Sequence, residues 1–122
     1  MNMKTFLITA LALVALTGAT ALATPAVAAG TATKVTIKGE DGDYYGKVKS
    51  ADRDCVSDRE VEVYKMRGSS PSPKSDKRVG SDLSDSNGDW STGNSGYKRG
   101  DFYAVVKKSD GCGGATSKVL SR

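Results

Sequence analysis

The chain has 122 residues, a formal net charge of +4, two cysteines and no histidine. Without histidine, Ser-His-Asp and Cys-His nucleophile systems and His-ligated metal centres are excluded. The charge surplus is too small to argue for nucleic acid by itself, and no nucleic-acid partner is expected.

The first element is a leader. Lys4 gives a short basic start, and Phe6–Leu16 is an apolar run of the length of a secretory h-region, short for a membrane span. Ala26-Val27-Ala28 fits the A-x-A pattern, which places cleavage after Ala28 or Ala29; Ala21-Leu22-Ala23 is an earlier alternative. The competing reading is an uncleaved anchor. Removing residues 1–28 leaves 94 residues, enough for one domain, spanning 29–122. The leader holds one of the eighteen basic residues and none of the fourteen acidic ones, so the mature charge is +3. No further apolar run suggests a transmembrane segment. The expected location is secreted and extracellular, or periplasmic if the source has an outer membrane.

Cys55 and Cys112 stand 57 residues apart. In an exported chain such a pair most often forms a disulfide. Free thiols or a metal pair are the alternatives, the metal disfavoured because nothing completes a soft site. No cofactor is expected.

The mature part reads as strands in chain order. Val35 and Ile37 alternate with Lys34, Thr36 and Lys38, the period-two pattern of a strand with one wet face. Glu40–Asp43 reads as a turn. Tyr44, Gly46 and Val48 then share one face, opposite Tyr45, Lys47 and Lys49. Val61 and Val63 alternate with Glu60, Glu62 and Tyr64. Gly68–Pro73 is the longest loop signal, with two prolines that no central strand accepts. A short strand around Arg78–Leu83 precedes Ser84-Asp85-Ser86-Asn87-Gly88-Asp89-Trp90. That segment predicts a hairpin, because Asn and Gly tolerate the positive φ of a tight reversal, with the sole tryptophan turning into the core. Phe102, Ala104 and Val106 form another strand face, and Thr116–Leu120 closes the chain.

No window after the leader is a convincing amphipathic helix. The pattern predicts an all-β fold: a single antiparallel Greek-key or immunoglobulin-like sandwich of about seven strands with one disulfide. The expected core is Val35, Ile37, Tyr44, Val48, Val61, Val63, Val79, Leu83, Trp90, Phe102, Ala104, Val106 and Val119. So thin a core makes the disulfide an expected part of its stability.

Tyr45-Gly46-Lys47-Val48, Glu60-Val61-Glu62-Val63, the Ser84–Trp90 turn and Gly100-Asp101-Phe102-Tyr103-Ala104-Val105-Val106 occur in an order that resembles the carboxypeptidase regulatory-like domains. Ser84 and Asp85 match the start of that family's Thr/Ser-Asp-x-x-Gly-x-aromatic turn. Phe102 takes the aromatic place after Gly100. The resemblance covers most of residues 44–106 through short motifs. It implies a transthyretin-like β-sandwich used as an accessory or adhesive module, with no catalytic residues to carry over. With its one long-range cysteine pair, the layout is also similar to small secreted bacterial proteins of uncharacterised function.

No catalytic residues are assigned. A carboxylate pair serves glycoside hydrolysis, but these acids fall in turns and on wet strand faces. Asp85, Asn87 and Asp89 present alternate oxygen ligands like the start of a calcium loop. The glycine sits at the fourth place rather than the sixth, however, and no bidentate glutamate follows, so a turn is the preferred reading. Arg99-Gly100-Asp101 spells an integrin-recognition tripeptide, outweighed by a structural role before the aromatic strand. Tyr45, Tyr64, Tyr97 and Tyr103, interleaved with lysines, predict an aromatic-basic face suited to sugars or an acidic polymer. The competing reading is ordinary strand decoration. The expected function is a non-catalytic binding or structural module for a cell-envelope polysaccharide or a secreted protein. The alternative is an inhibitor of an extracellular enzyme, displaying the Gly68–Asp76 loop.

Overall fold

The structure, a computed structural model, describes residues 30–122. The leader and all the proposed cleavage sites, Ala28 and Ala29 included, lie outside the described residues. The strands are β1 (Thr33–Val35), β2 (Lys38–Glu40), β3 (Asp43–Ser50), β4 (Glu60–Lys65), β5 (Lys77–Leu83), β6 (Asp89–Asn94), β7 (Asp101–Val106), β8 (Ala115–Thr116) and β9 (Leu120–Ser121). They form two antiparallel sheets. β1 and β2 lie end to end along one edge of β3 in a single register, with Thr33 opposite Ser50 and Lys38 opposite Tyr45. β8 and β9 likewise follow each other along β7. The nine strands therefore occupy seven positions: β1/β2, β3 and β6 in sheet 1, and β5, β4, β7 and β8/β9 in sheet 2.

The two-residue hairpin sits at Asp41-Gly42, where φ is +49° and +86°. Two consecutive positive φ values match the right-handed twist of the flanking strands. The Ser84–Trp90 segment, expected to be a hairpin, instead carries the chain from β5 in sheet 2 to β6 in sheet 1. The segment does form the expected tight turn: Gly88 N–H donates to Asp85 O, and Asp85 Oδ1 accepts the amides of Asn87 and Asp89. Local turn preference does not say which sheet the following strand joins. Gly88, at φ +83°, presses its carbonyl onto the Val48 amide, and a Cβ there would stand 2.3 Å from Val48 O.

The core lies between the sheets, from Val35, Tyr44, Val48 and Trp90 on one side to Val61, Val63, Phe102, Ala104 and Val106 on the other. Tyr44 and Phe102 stack across the sandwich at 4.4 Å between ring centroids. Ile37 and Val79 pack at its border. Two expected core residues are outside: Leu83 is 59% and Val119 42% exposed. Both errors have one cause. Between β4 and β5 the register shifts near Val79, so Gly80 and Asp82 oppose Val63 and Val61 while Leu83 falls opposite Glu60 on the outer face. Between β8 and β9 the register along β7 shifts by one residue, and Leu120 replaces Val119 against the core. One inserted residue reverses the face of every residue beyond it.

Cys55 and Cys112 form the disulfide, with a Cα–Cα distance of 5.4 Å. It joins the β3–β4 crossover, which contains a 3-10 turn at Arg53–Cys55, to the β7–β8 connection. Thr31 binds the same region: its amide donates to Gly111 O and its carbonyl accepts from Gly113 N, both at 2.9 Å. Beside them Arg59, 2% exposed, donates from Nη1 to Cys55 O and Thr33 Oγ1 and from Nη2 to Lys107 O and Gly113 O. One side chain thus ties β1, the crossover and the β7–β8 connection together, without a carboxylate partner among the described residues. Burial pulls its pKa below the ordinary arginine value.

Candidate binding face

The outer face of sheet 1 follows from strand alternation. With Val35, Tyr44 and Val48 turned into the core, Lys34, Thr36 and Lys38 must point outward with Tyr45, Lys47 and Lys49. Pairing places Lys34 beside Lys49, Lys38 beside Tyr45, Tyr45 beside Ser91 and Lys47 beside Asp89. At the centre the ladder is irregular: the Lys47 amide donates to Thr36 Oγ1, and a Cβ on Gly46 would stand 1.9 Å from Thr36 O. A shallow depression of about 370 Å³ opens there, lined by Thr36, Lys38, Tyr45, Gly46, Lys47, Lys49 and Asp89. Lys47 pairs with Asp89 at 3.3 Å. Lys34, Lys38 and Lys49 pair with no carboxylate among the described residues. Like charges directly opposite on neighbouring strands, as at Lys34 and Lys49, are destabilising unless something neutralises them.

Of the four tyrosines expected to share a face, only Tyr45 stands here. Tyr64 and Tyr103 lie on the outer side of sheet 2, stacked at 5.5 Å. Tyr103 is fully buried, contrary to expectation, because the 66–76 loop folds over it and Asp76 Oδ2 accepts its hydroxyl at 2.5 Å. Tyr97 packs against the core at the opposite end from the disulfide, its ring facing Lys77 Nζ at 4.9 Å and Lys65 Nζ at 5.9 Å. Alternation alone assigns Tyr103 to a wet face; a roof supplied by a distant loop leaves no trace in the local pattern.

The outer side of sheet 2 also holds a charge network that the sequence reading missed. Glu62, 2% exposed, meets Lys107 Nζ at 2.6 Å, Arg78 Nε at 3.7 Å and the Tyr64 hydroxyl. Burial pushes its carboxyl up, but hydrogen bonds from Lys107 and Tyr64 and the charge of Arg78 outweigh burial and hold it below the ordinary glutamate value. Burial and the Glu62 carboxylate push the Tyr64 phenol up to about 12. The depressed Glu62 favours folding above its ordinary value, and that contribution fades as pH falls through its lower folded value. The raised Tyr64 favours folding below pH 10, and that contribution fades between pH 10 and about 12. Denaturant midpoints measured against pH should therefore fall on both sides. Tyr64→Phe should remove only part of the alkaline decline, the larger part remaining with Tyr103, whose phenol burial and the Asp76 carboxylate raise further, together with the buried Tyr44.

The oxygen ligands of the acidic turn are largely engaged. Asp85 Oδ1 receives two backbone amides, and the Asp89 carboxylate faces Lys47. Among the described residues no three His, Cys, Asp or Glu side chains converge to hold a metal ion. In the Arg-Gly-Asp tripeptide, Gly100 exchanges both backbone hydrogen bonds with Arg122, and Asp101 accepts the Ser121 hydroxyl at 2.6 Å. That places Asp101 at the start of a paired strand. No helix among the described residues is long and apolar enough to cross a membrane. No family model, curated protein or solved structure matches the chain.

Proposed function

We propose that the protein is an exported, non-catalytic β-sandwich module that binds an acidic polymer of the cell envelope through the outer face of sheet 1. The observation that carries this reading is the placement of Tyr45 beside Lys38 and within a face bearing Lys34, Lys47 and Lys49, three of these four lysines lacking a carboxylate partner among the described residues. A half-buried ring offers a sugar a rigid stacking surface, and the flanking ammonium groups attract carboxylate or phosphate. Export fits the disulfide, which persists in oxidising compartments. The lack of a catalytic role fits the commitment of the buried Glu62 to Lys107 and Arg78, since a carboxyl held low is a poor proton donor at neutral pH. Kinship with the carboxypeptidase regulatory-like domains is part of the same proposal, and it rests on the sequence motifs in β3, β4, the Ser84–Trp90 segment and β7.

Co-sedimentation with purified acidic envelope polysaccharide tests the reading. Tyr45→Ala and Lys38→Glu should each weaken retention by about tenfold, equivalent to about 1.4 kcal/mol, with unchanged melting. Full retention by both variants would refute it.

One observation favours a second reading, a secreted enzyme inhibitor. Asp76 accepts the amides of Arg67 and Ser72 as well as the Tyr103 hydroxyl, which fixes the base of a loop whose residues 67–71 are exposed. A pre-ordered loop loses little entropy on binding. Inhibition of an extracellular protease by the wild type and not by Tyr103→Phe would favour this reading over the first.

A further inference from the structure

We infer that the end of the sandwich opposite the disulfide binds a dianionic phosphate monoester between Lys65 and Lys77. This goes beyond the polymer-binding face and shares no residue with it.

At that end the inner side of sheet 2 finishes in charge. Lys65 stands opposite the buried Phe102 on β7 and opposite Lys77 on β5. Directly opposed residues share a face of the sheet. The two lysines therefore continue the side that Phe102 gives to the core, into the open mouth of the sandwich. Like charges so placed repel. Tyr97 holds them there, with Lys77 Nζ 4.9 Å and Lys65 Nζ 5.9 Å from its ring centroid, within the roughly 6 Å reach of a cation–π contact. Gly100, at φ +132°, makes room for the Lys65 stem: a Cβ there would stand 2.7 Å from Lys65 Cε. The same glycine exchanges both backbone hydrogen bonds with Arg122. Burial raises the Tyr44 phenol, and the nearby charge of Arg122 offsets part of that rise. That phenol donates to Tyr97 O at 2.6 Å, so Arg122 belongs to the same cluster.

Nothing on the chain neutralises these cations. Lys65, Lys77 and Arg122 have no carboxylate at ion-pair distance among the described residues. The acids nearest in sequence are engaged elsewhere. Asp76 accepts the amides of Arg67 and Ser72 and the Tyr103 hydroxyl, and Asp101 accepts the Ser121 hydroxyl.

The pairing of two ammonium groups selects the ligand. A carboxylate or a phosphodiester brings one negative charge and leaves one ammonium opposed to the other. A phosphate monoester brings a charge near −2 and three acceptor oxygens, enough for both. Lys65 is half-buried with its stem against Gly100, so little side-chain freedom is lost on binding.

Calorimetric titration of the purified protein with glucose 6-phosphate at low salt tests the inference. Saturable binding is expected, at least about tenfold tighter than that of dimethyl phosphate or acetate. Lys65→Met and Lys77→Met should each weaken it by about tenfold or more without lowering the melting temperature, since each removes a repulsion. Lys38→Glu, on the polymer-binding face, should leave it unchanged, and Lys77→Met should leave polysaccharide retention unchanged, so this site and the polymer-binding face fail or stand separately. Displacement of the sugar phosphate by phosphatidylcholine vesicles containing phosphatidic acid, and not by phosphatidylcholine alone, would support a lipid headgroup as the source of the monoester. Binding without such displacement would support a soluble one. No binding at millimolar glucose 6-phosphate, equal binding of dimethyl phosphate, or wild-type binding by both lysine variants would overturn the inference.

Discussion

Replacing Cys55 and Cys112 together by alanine should lower the stability of the domain by about 4 kcal/mol. The disulfide closes a 57-residue loop, and the chain-entropy model assigns a cross-link of that span about this value. For a domain of this size the melting temperature should fall by roughly 20 °C. The cross-link also holds the crossover against the β7–β8 connection, where Arg59 finds its acceptors. The loss should therefore appear in calorimetry as earlier unfolding of the whole sandwich. Reduction of the wild type should shift melting by a similar amount. A change below about 1 kcal/mol would show that the hydrogen bonds around Arg59 hold this end of the sandwich without the cross-link.

Arg59→Met should cost at least about 3 kcal/mol, although it keeps an apolar side chain of comparable length. The variant leaves the carbonyls of Cys55, Lys107 and Gly113 and the Thr33 hydroxyl without their donor in a buried site. Each buried group left unsatisfied costs about 1–3 kcal/mol. Arg59→Lys should recover only part of the loss, because a single ammonium does not reproduce a planar fork reaching four oxygens in three segments. Denaturant titration of the three proteins gives the ordering directly. Wild-type stability in Arg59→Met would contradict the assignment of Arg59 as the tie at the disulfide end.

The features legible in the sequence were those that repeat locally. Val61 and Val63 with Glu60, Glu62 and Tyr64 marked β4, and Phe102, Ala104 and Val106 marked the buried face of β7. The cysteine pair was legible because, with no other cysteine and no histidine in the chain, few other uses remain for it. What was hidden depends on single insertions and on distant segments. The irregularities at Val79 and between β8 and β9 turned Leu83 and Val119 outward, and nothing in those stretches announces a bulge. Asn87-Gly88 specified a turn, yet whether β6 joins the same sheet or the opposite one is decided by pairing with β3. Tyr103 looked exposed until Asp76 arrived from the far end of a loop. Arg59 carried no signal, since an arginine before a valine-alternating strand is usually surface decoration. Within the candidate face, alternation placed Tyr45 with Lys47 and Lys49. Only strand pairing placed Lys38 and Lys34 beside them.

Retention of the purified protein on envelope material at low and high salt shows whether the outer face of sheet 1 recognises an acidic envelope polymer. Charges spaced on an exposed face are screened over about 10 Å at 0.1 M salt, so a purely ionic association should vanish when salt is raised. A fraction of the binding should survive high salt through stacking on Tyr45 and disappear in Tyr45→Ala. Retention abolished by salt in the wild type, or unaffected by Tyr45→Ala at either salt, would contradict such recognition.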